Sequence, residues 1–149
     1  MGKHMDDIVT WSEKYATGVK LIDGQHKELV DLTNKLYRAC LVVGDQTVFK
    51  EAMTHMIDYV KFHFTAESEL LEQINYPKLS EHNKEHENLT NNILGAVKDY
   101  NAGNEFVPSI FAQTLVDWVF GHIGVSDKAY AAYIVEQKKK GLLGDVVMS

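Results

Sequence analysis

Apolar residues along this chain recur three and four positions apart far more often than they alternate with polar ones, which is the pattern of amphipathic helices. Leu29, Leu32, Leu36 and Cys40 form one such stripe and predict a first helix from about Gly24 to Val43, closed near Gly44. A second helix is predicted from Thr47 to Ile74, where Asn75-Tyr76-Pro77 breaks the pattern. A third runs from about Ser80 to Asn101, closing at Ala102-Gly103, and a fourth begins around Pro108. Long helices with short connections make neighbours antiparallel, so the expected fold is all-α, an up-down-up-down four-helix bundle. The N-terminal arm up to Leu21 shows no clear helical stripe; residues 1–10 are expected to be flexible, and Trp11 is expected to anchor the arm by packing.

Composition narrows the class without changing this picture. The 149 residues suit one domain, and 45% hydrophobic with 24% charged residues is ordinary for a globular protein. A formal net charge of -6 argues against nucleic-acid binding, because no basic surface is available to neutralise phosphates. Cys40 is the only cysteine, which excludes a disulfide framework and a cysteine-rich zinc site. The first residues lack the apolar core of a signal peptide and no apolar run is long enough to span a membrane, so a cytoplasmic protein is expected.

The histidines carry the chemistry. His4 stands in the polar leader and is given no role; six others remain. His82 and His86 lie four apart on the third helix and share a face with Leu89, Ile93 and Val97. A lone histidine on such a face is usually a satisfied core residue, but two at chelating spacing weaken that explanation. His63 and Glu67 are likewise four apart on the second helix, either as a surface ion pair or as an inward pair; a buried glutamate is costly unless paired or bound to a cation. His26 lies on the stripe of the first helix. His55 precedes His63 by eight residues, about 80° beyond two full turns, and is read as a surface or packing residue.

On the fourth helix His122 and Asp127 are five apart, about 140° around a regular α-helix. Sharing a metal requires a departure from α geometry, which glycine at 121 and 124 tolerates; the other reading of Asp127 is a helix N-cap after such a break, and both roles can coexist. Every helix thus offers inward nitrogen or oxygen donors, in a mixture of imidazole and carboxylate that suits iron, zinc, copper or nickel. Seven donors exceed the needs of one ion and suit two.

The segments WSEKYATGVKLIDGQHKEL, HFTAE, HNKEH and WVFGHIGVSD, in this order from Trp11 to Tyr130, resemble the signature of the bacterial hemerythrins. The resemblance implies one hemerythrin-like domain over residues 1–149 that binds dioxygen reversibly at a non-haem di-iron centre, for storage, delivery or sensing, and is not an enzyme. It implies two iron ions with an oxo or hydroxo bridge: His82, His86 and His122 on one, His26 and His63 on the other, with Glu67 and Asp127 bridging. Leu29, Phe64, Trp118, Val119 and Ile123 would wall the dioxygen pocket, and Tyr130 would lie beside the centre. Taken one at a time, these apolar residues read equally well as plain core. The chain departs from many family members at Ser68, where a second glutamate is common, and at Val119, where leucine is common.

Other readings explain less. His82-Asn83-Lys84-Glu85-His86 satisfies the H-x-x-E-H pattern of a zinc hydrolase but leaves the other five donors without a role. Ferritin-like di-iron enzymes use more carboxylates and a Glu-x-x-His spacing that this chain lacks. A sensor module of a signalling protein would use the same site, and its partner domain is unknown.

Overall fold

The computed structural model describes residues 7–41, 46–103 and 106–143, and their regular structure is entirely helical. A short 3-10 turn (Glu13–Tyr15) leads into α1 (Lys20–Cys40), α2 (Thr47–Gln73) and α3 (Leu79–Asn101). The fourth helix runs unbroken over 108–139, as α4 (Pro108–Leu115), a π turn (Val116–Phe120), a second π turn (Ile123–Asp127) and α5 (Lys128–Lys139). This is a four-helix bundle in up-down-up-down order. The antiparallel direction of the first two neighbouring pairs shows in their cross-links: Thr33 meets Met56 while His26 meets His63, and Ser68 bonds Asn83 while Tyr100 bonds Gln46. No helix among the described residues is long and apolar enough to cross a membrane.

Local chemistry sets the helix ends. α1 begins at Lys20 rather than near Gly24 because the Asp23 carboxylate reaches back to the Thr17 amide (2.7 Å), the Thr17 hydroxyl (2.8 Å) and the Gly18 amide (3.1 Å), fixing its first turn. The expected end of this helix at Val43-Gly44 lies outside the described residues, as does His4. α2 closes through Asn75 in the left-handed region (φ 56°), with the Tyr76 amide bonded to the Leu71 carbonyl, a Schellman closure in which asparagine stands in for glycine. Pro108 occupies the first turn of α4, where its missing N–H costs nothing.

The arm is more closely tied than its composition predicts. Asn34 accepts from the Ile8 and Val9 amides (2.8 and 3.1 Å) and donates to the Val9 carbonyl (2.8 Å), and Val9 is buried. Residues 1–6, the rest of the stretch expected to be flexible, lie outside the described residues. Trp11 packs against the core as expected, with Lys27 over its ring.

Two apolar clusters fill the bundle. The larger joins the arm, most of α1, the first half of α2, Ile93 of α3 and the fourth helix from Phe111 to Ile123. The smaller holds Val19, Ile22, Leu71, Ile74, Tyr76, Tyr130 and Ile134 at the other end. Between them lies a layer of buried polar side chains.

Candidate metal centre

Each helix aims donors into this layer by continuing its own apolar stripe. His26 lies between Ile22 and Leu29 on α1; His63 and Glu67 follow Met56 and Val60 on α2; His82 and His86 precede Ile93 on α3. All seven predicted ligands, the fourth helix's His122 and Asp127 included, are buried, with Glu67, Asp127 and His26 fully excluded from solvent. His55 is exposed on α2, as its angular position required.

The seven side chains form two sets that share both carboxylates: Glu67, His82, His86, His122 and Asp127 in one, and His26, His63, Glu67 and Asp127 in the other, with the donor atoms of each set within 4.8 Å of one another. The sharing is divided oxygen by oxygen. Glu67 Oε1 lies 2.8 Å from both His82 Nε2 and His86 Nε2, while its Oε2 lies 3.7 Å from His26 Nε2 and 3.6 Å from His63 Nε2. Asp127 Oδ1 lies 3.2 Å from His82 Nε2 and from His122 Nε2, and its Oδ2 lies 3.2 Å from His26 Nε2. Each carboxylate therefore turns one oxygen toward each set.

These donors fit metal ions better than they fit one another. His86 Nε2, His122 Nε2 and both Asp127 oxygens are buried without a hydrogen-bond partner, and buried polar atoms are rarely left so. His26 Nε2 and His63 Nε2 face each other at 3.1 Å, where a single proton can serve only one lone pair as donor. Imidazole and carboxylate together suit iron, zinc and copper.

Charge gives the same account. Burial opposes charge on Glu67, but the imidazoles of His26, His82 and His86 around it hold its carboxyl well below the usual range. Burial and the neighbouring Glu67 push Asp127 upward, yet His122, His26 and His82 bring it below its ordinary value. Burial lowers His26 and His82, but Asp127 and Glu67 outweigh it and raise each to about 9. Burial dominates at His63, lowering it to about 4.

The second π turn brings His122 and Asp127 together. Five-residue spacing puts them on different faces of an α-helix but on one face of a π turn, whose bonds run from i to i+5. Glycine conformation does not cause this turn: among the described glycines only Gly18, Gly103 and Gly141 have positive φ, Gly121 has helical angles (φ -62°, ψ -44°), and a Cβ on Gly124 would meet nothing within 4 Å. Asp127 is no cap either. Its backbone is helical (φ -73°, ψ -33°) and its side chain makes no capping bond.

Around the donors stand residues with orienting roles. Tyr130, fully buried, donates its hydroxyl to Glu67 Oε2 (2.8 Å). Two further residues had escaped sequence reasoning: Gln25 Oε1 meets His63 Nδ1 at 2.7 Å, and Glu85 Oε2 meets His122 Nδ1 at 2.7 Å. The available signal was their position, each directly preceding a predicted ligand in sequence while serving a different one across the bundle. Glu85, the acid of the H-x-x-E-H pattern, is thereby engaged with His122 and Ser126, which removes the support for a hydrolytic base. Of the predicted pocket walls, Leu29, Phe64, Val119 and Ile123 are buried together in the larger cluster and Trp118 packs against it half-buried. Phe64 also stacks flat on His86, with centroids 3.9 Å apart.

Fold and centre together define a class: a helical-bundle protein with a buried histidine–carboxylate layer whose donors fall into two sets, each able to hold a metal ion. A family model described as the hemerythrin HHE cation binding domain matches residues 17–134, and the chain belongs to that family. It is 29% identical over 124 residues to a bacteriohemerythrin from Methylococcus capsulatus, covering 83% of this chain and 94% of the relative. A bacteriohemerythrin from Stenotrophomonas maltophilia is 28% identical over 124 residues, covering 83% and 80% respectively. The crystal structure of a wild-type hemerythrin superposes with a TM-score of 0.78 at 28% identity, covering 84% of this chain and 96% of that one.

Proposed function

We propose that this chain is a single hemerythrin-like domain that holds two iron ions and binds dioxygen reversibly, acting as a binding protein rather than a catalyst, in the cytoplasm. His82, His86 and His122 would hold one iron and His26 and His63 the other, with Glu67, Asp127 and an oxo or hydroxo group between them. The observation that carries this reading is the division of each buried carboxylate, one oxygen toward each histidine set. When bound, two irons would supply the pair of electrons that reversible dioxygen binding uses. The chain's own part is to orient the donors, to keep water away with Leu29, Phe64, Val119 and Ile123, and to hold a phenol proton on Glu67 through Tyr130.

Metal analysis and optical titration test this on one preparation. Protein expressed with iron available should carry two irons per chain and show bands that appear with dioxygen and vanish when it is removed. One zinc per chain with no iron would overturn the reading.

A further inference from the structure

The two histidine sets are supported unequally from outside. His63 is met at Nδ1 by the neutral Gln25 amide oxygen and His122 by the Glu85 carboxylate, each at 2.7 Å. In both cases an acceptor at Nδ1 fixes the proton there and leaves Nε2 to point its lone pair into the donor layer. Only Glu85 adds a negative charge. Its Oε2 also accepts from the Ser126 hydroxyl at 2.6 Å, so one carboxylate of α3 clasps both ends of the π turn that carries His122 and Asp127. The Glu85 side chain is 48% exposed, at the edge of a groove lined by Glu81, His82, Val125 and Ser126.

We propose that Glu85 is a positioning residue for the three-histidine metal: its carboxylate orients His122 and, acting through the ring, favours the more highly charged state of the ion bound there. This rests on the two-iron reading. A carboxylate behind a metal-bound imidazole makes the ring a stronger donor, and such partners alter metal affinity by about 10–100-fold. Because the matching partner on the other set is neutral, the effect falls on one iron of the pair, which would make the two ions unequal in potential.

The test compares wild type with Glu85→Gln, Glu85→Ala and Glu81→Gln. Glutamine retains an acceptor for His122 and Ser126 but loses the charge; Glu81 is an exposed neighbour of the same charge with no bond to His122. Iron per chain, the rate of iron loss to a chelator, the two one-electron midpoints and the helix content of the metal-free protein are measured on each. Glu85→Gln is expected to keep two irons and raise one midpoint by about 59 mV, a tenfold shift toward the ferrous form. Glu85→Ala should do the same and also lose iron about 10–100-fold faster, with unchanged helix content when metal-free. Glu81→Gln should match wild type. Unmoved midpoints in Glu85→Gln, or an equal shift in Glu81→Gln, would overturn the proposal. If wild type takes up fewer than two irons, the proposed function fails by itself; cobalt(II) affinity of the same variants then decides on Glu85, with a tenfold weakening in Glu85→Gln supporting its role and no change overturning it.

Discussion

Glu67 concentrates more of the centre than any other side chain, since its two oxygens touch four histidines' neighbourhoods and the Tyr130 hydroxyl. Glu67→Ala should therefore remove a donor from both sets at once, and iron should fall below two per chain in metal analysis. Retention of both irons with unchanged optical bands would end its bridging role. Val119 presents a gentler case. It is fully buried in the wall shared with Leu29, Phe64 and Ile123, next to the turn that carries His122. Val119→Leu adds about 0.8 kcal/mol of apolar burial where space allows, and the added methylene narrows any path for water or small anions. Slower autoxidation of the oxygenated form at unchanged iron content is expected, followed as optical decay; equal or faster decay would show that this wall does not limit the lifetime. The histidines themselves were legible because each continues an apolar stripe. Gln25 and Glu85 were not: Gln25 continues the α1 stripe but as a neutral amide that is no usual metal donor, Glu85 lies on an exposed face of α3, and each acquires meaning only from a ring on another helix.

At the scale of elements, periodicity placed α2 and α3 within a residue of their observed ends, since Asn75 and Gly103 punctuate them unambiguously. It misplaced the start of α1, because the Asp23 bonds that set it join a loop to a helix and leave no periodic trace. It foresaw that the fourth helix departs from α geometry but gave the wrong cause. The wide turn is set by packing His122 and Asp127 into the same layer, with Glu85 and Ser126 bonded across it. Gly124→Ala should accordingly keep both irons and gain about 0.5–1 kcal/mol of stability, read from thermal melts, because helical glycine costs that much and its Cβ position is open. A register test is sharper. Deleting the exposed Val125 leaves a four-residue spacing that a regular α-turn accommodates, so iron should be retained; adding an alanine after Gly124 makes the spacing six, and iron should be lost. Loss of iron on the deletion would mean that the π turn itself, rather than the shared face, is what the centre requires.

At the scale of the molecule, metal removal should act on the folding equilibrium as well as on binding. A ligand at a hundred times its dissociation constant adds about 2.7 kcal/mol, and for a chain of this size that corresponds to roughly 5–10 °C in melting temperature. The same layered interior also sets where the protein breathes. With apolar clusters on both sides, a seam of buried histidines and carboxylates runs across the bundle, and bound cations would stitch it closed. Stripped of metal, the molecule should behave as two blocks joined at a loose waist. Amides near residues 63–67, 82–86 and 122–127 should begin to exchange with solvent deuterium first, those of the smaller block around Leu71 and Ile134 next, and those around Leu36, Met56 and Leu115 last. A uniform loss of protection across all three regions would mean that the blocks do not hold apart from the seam.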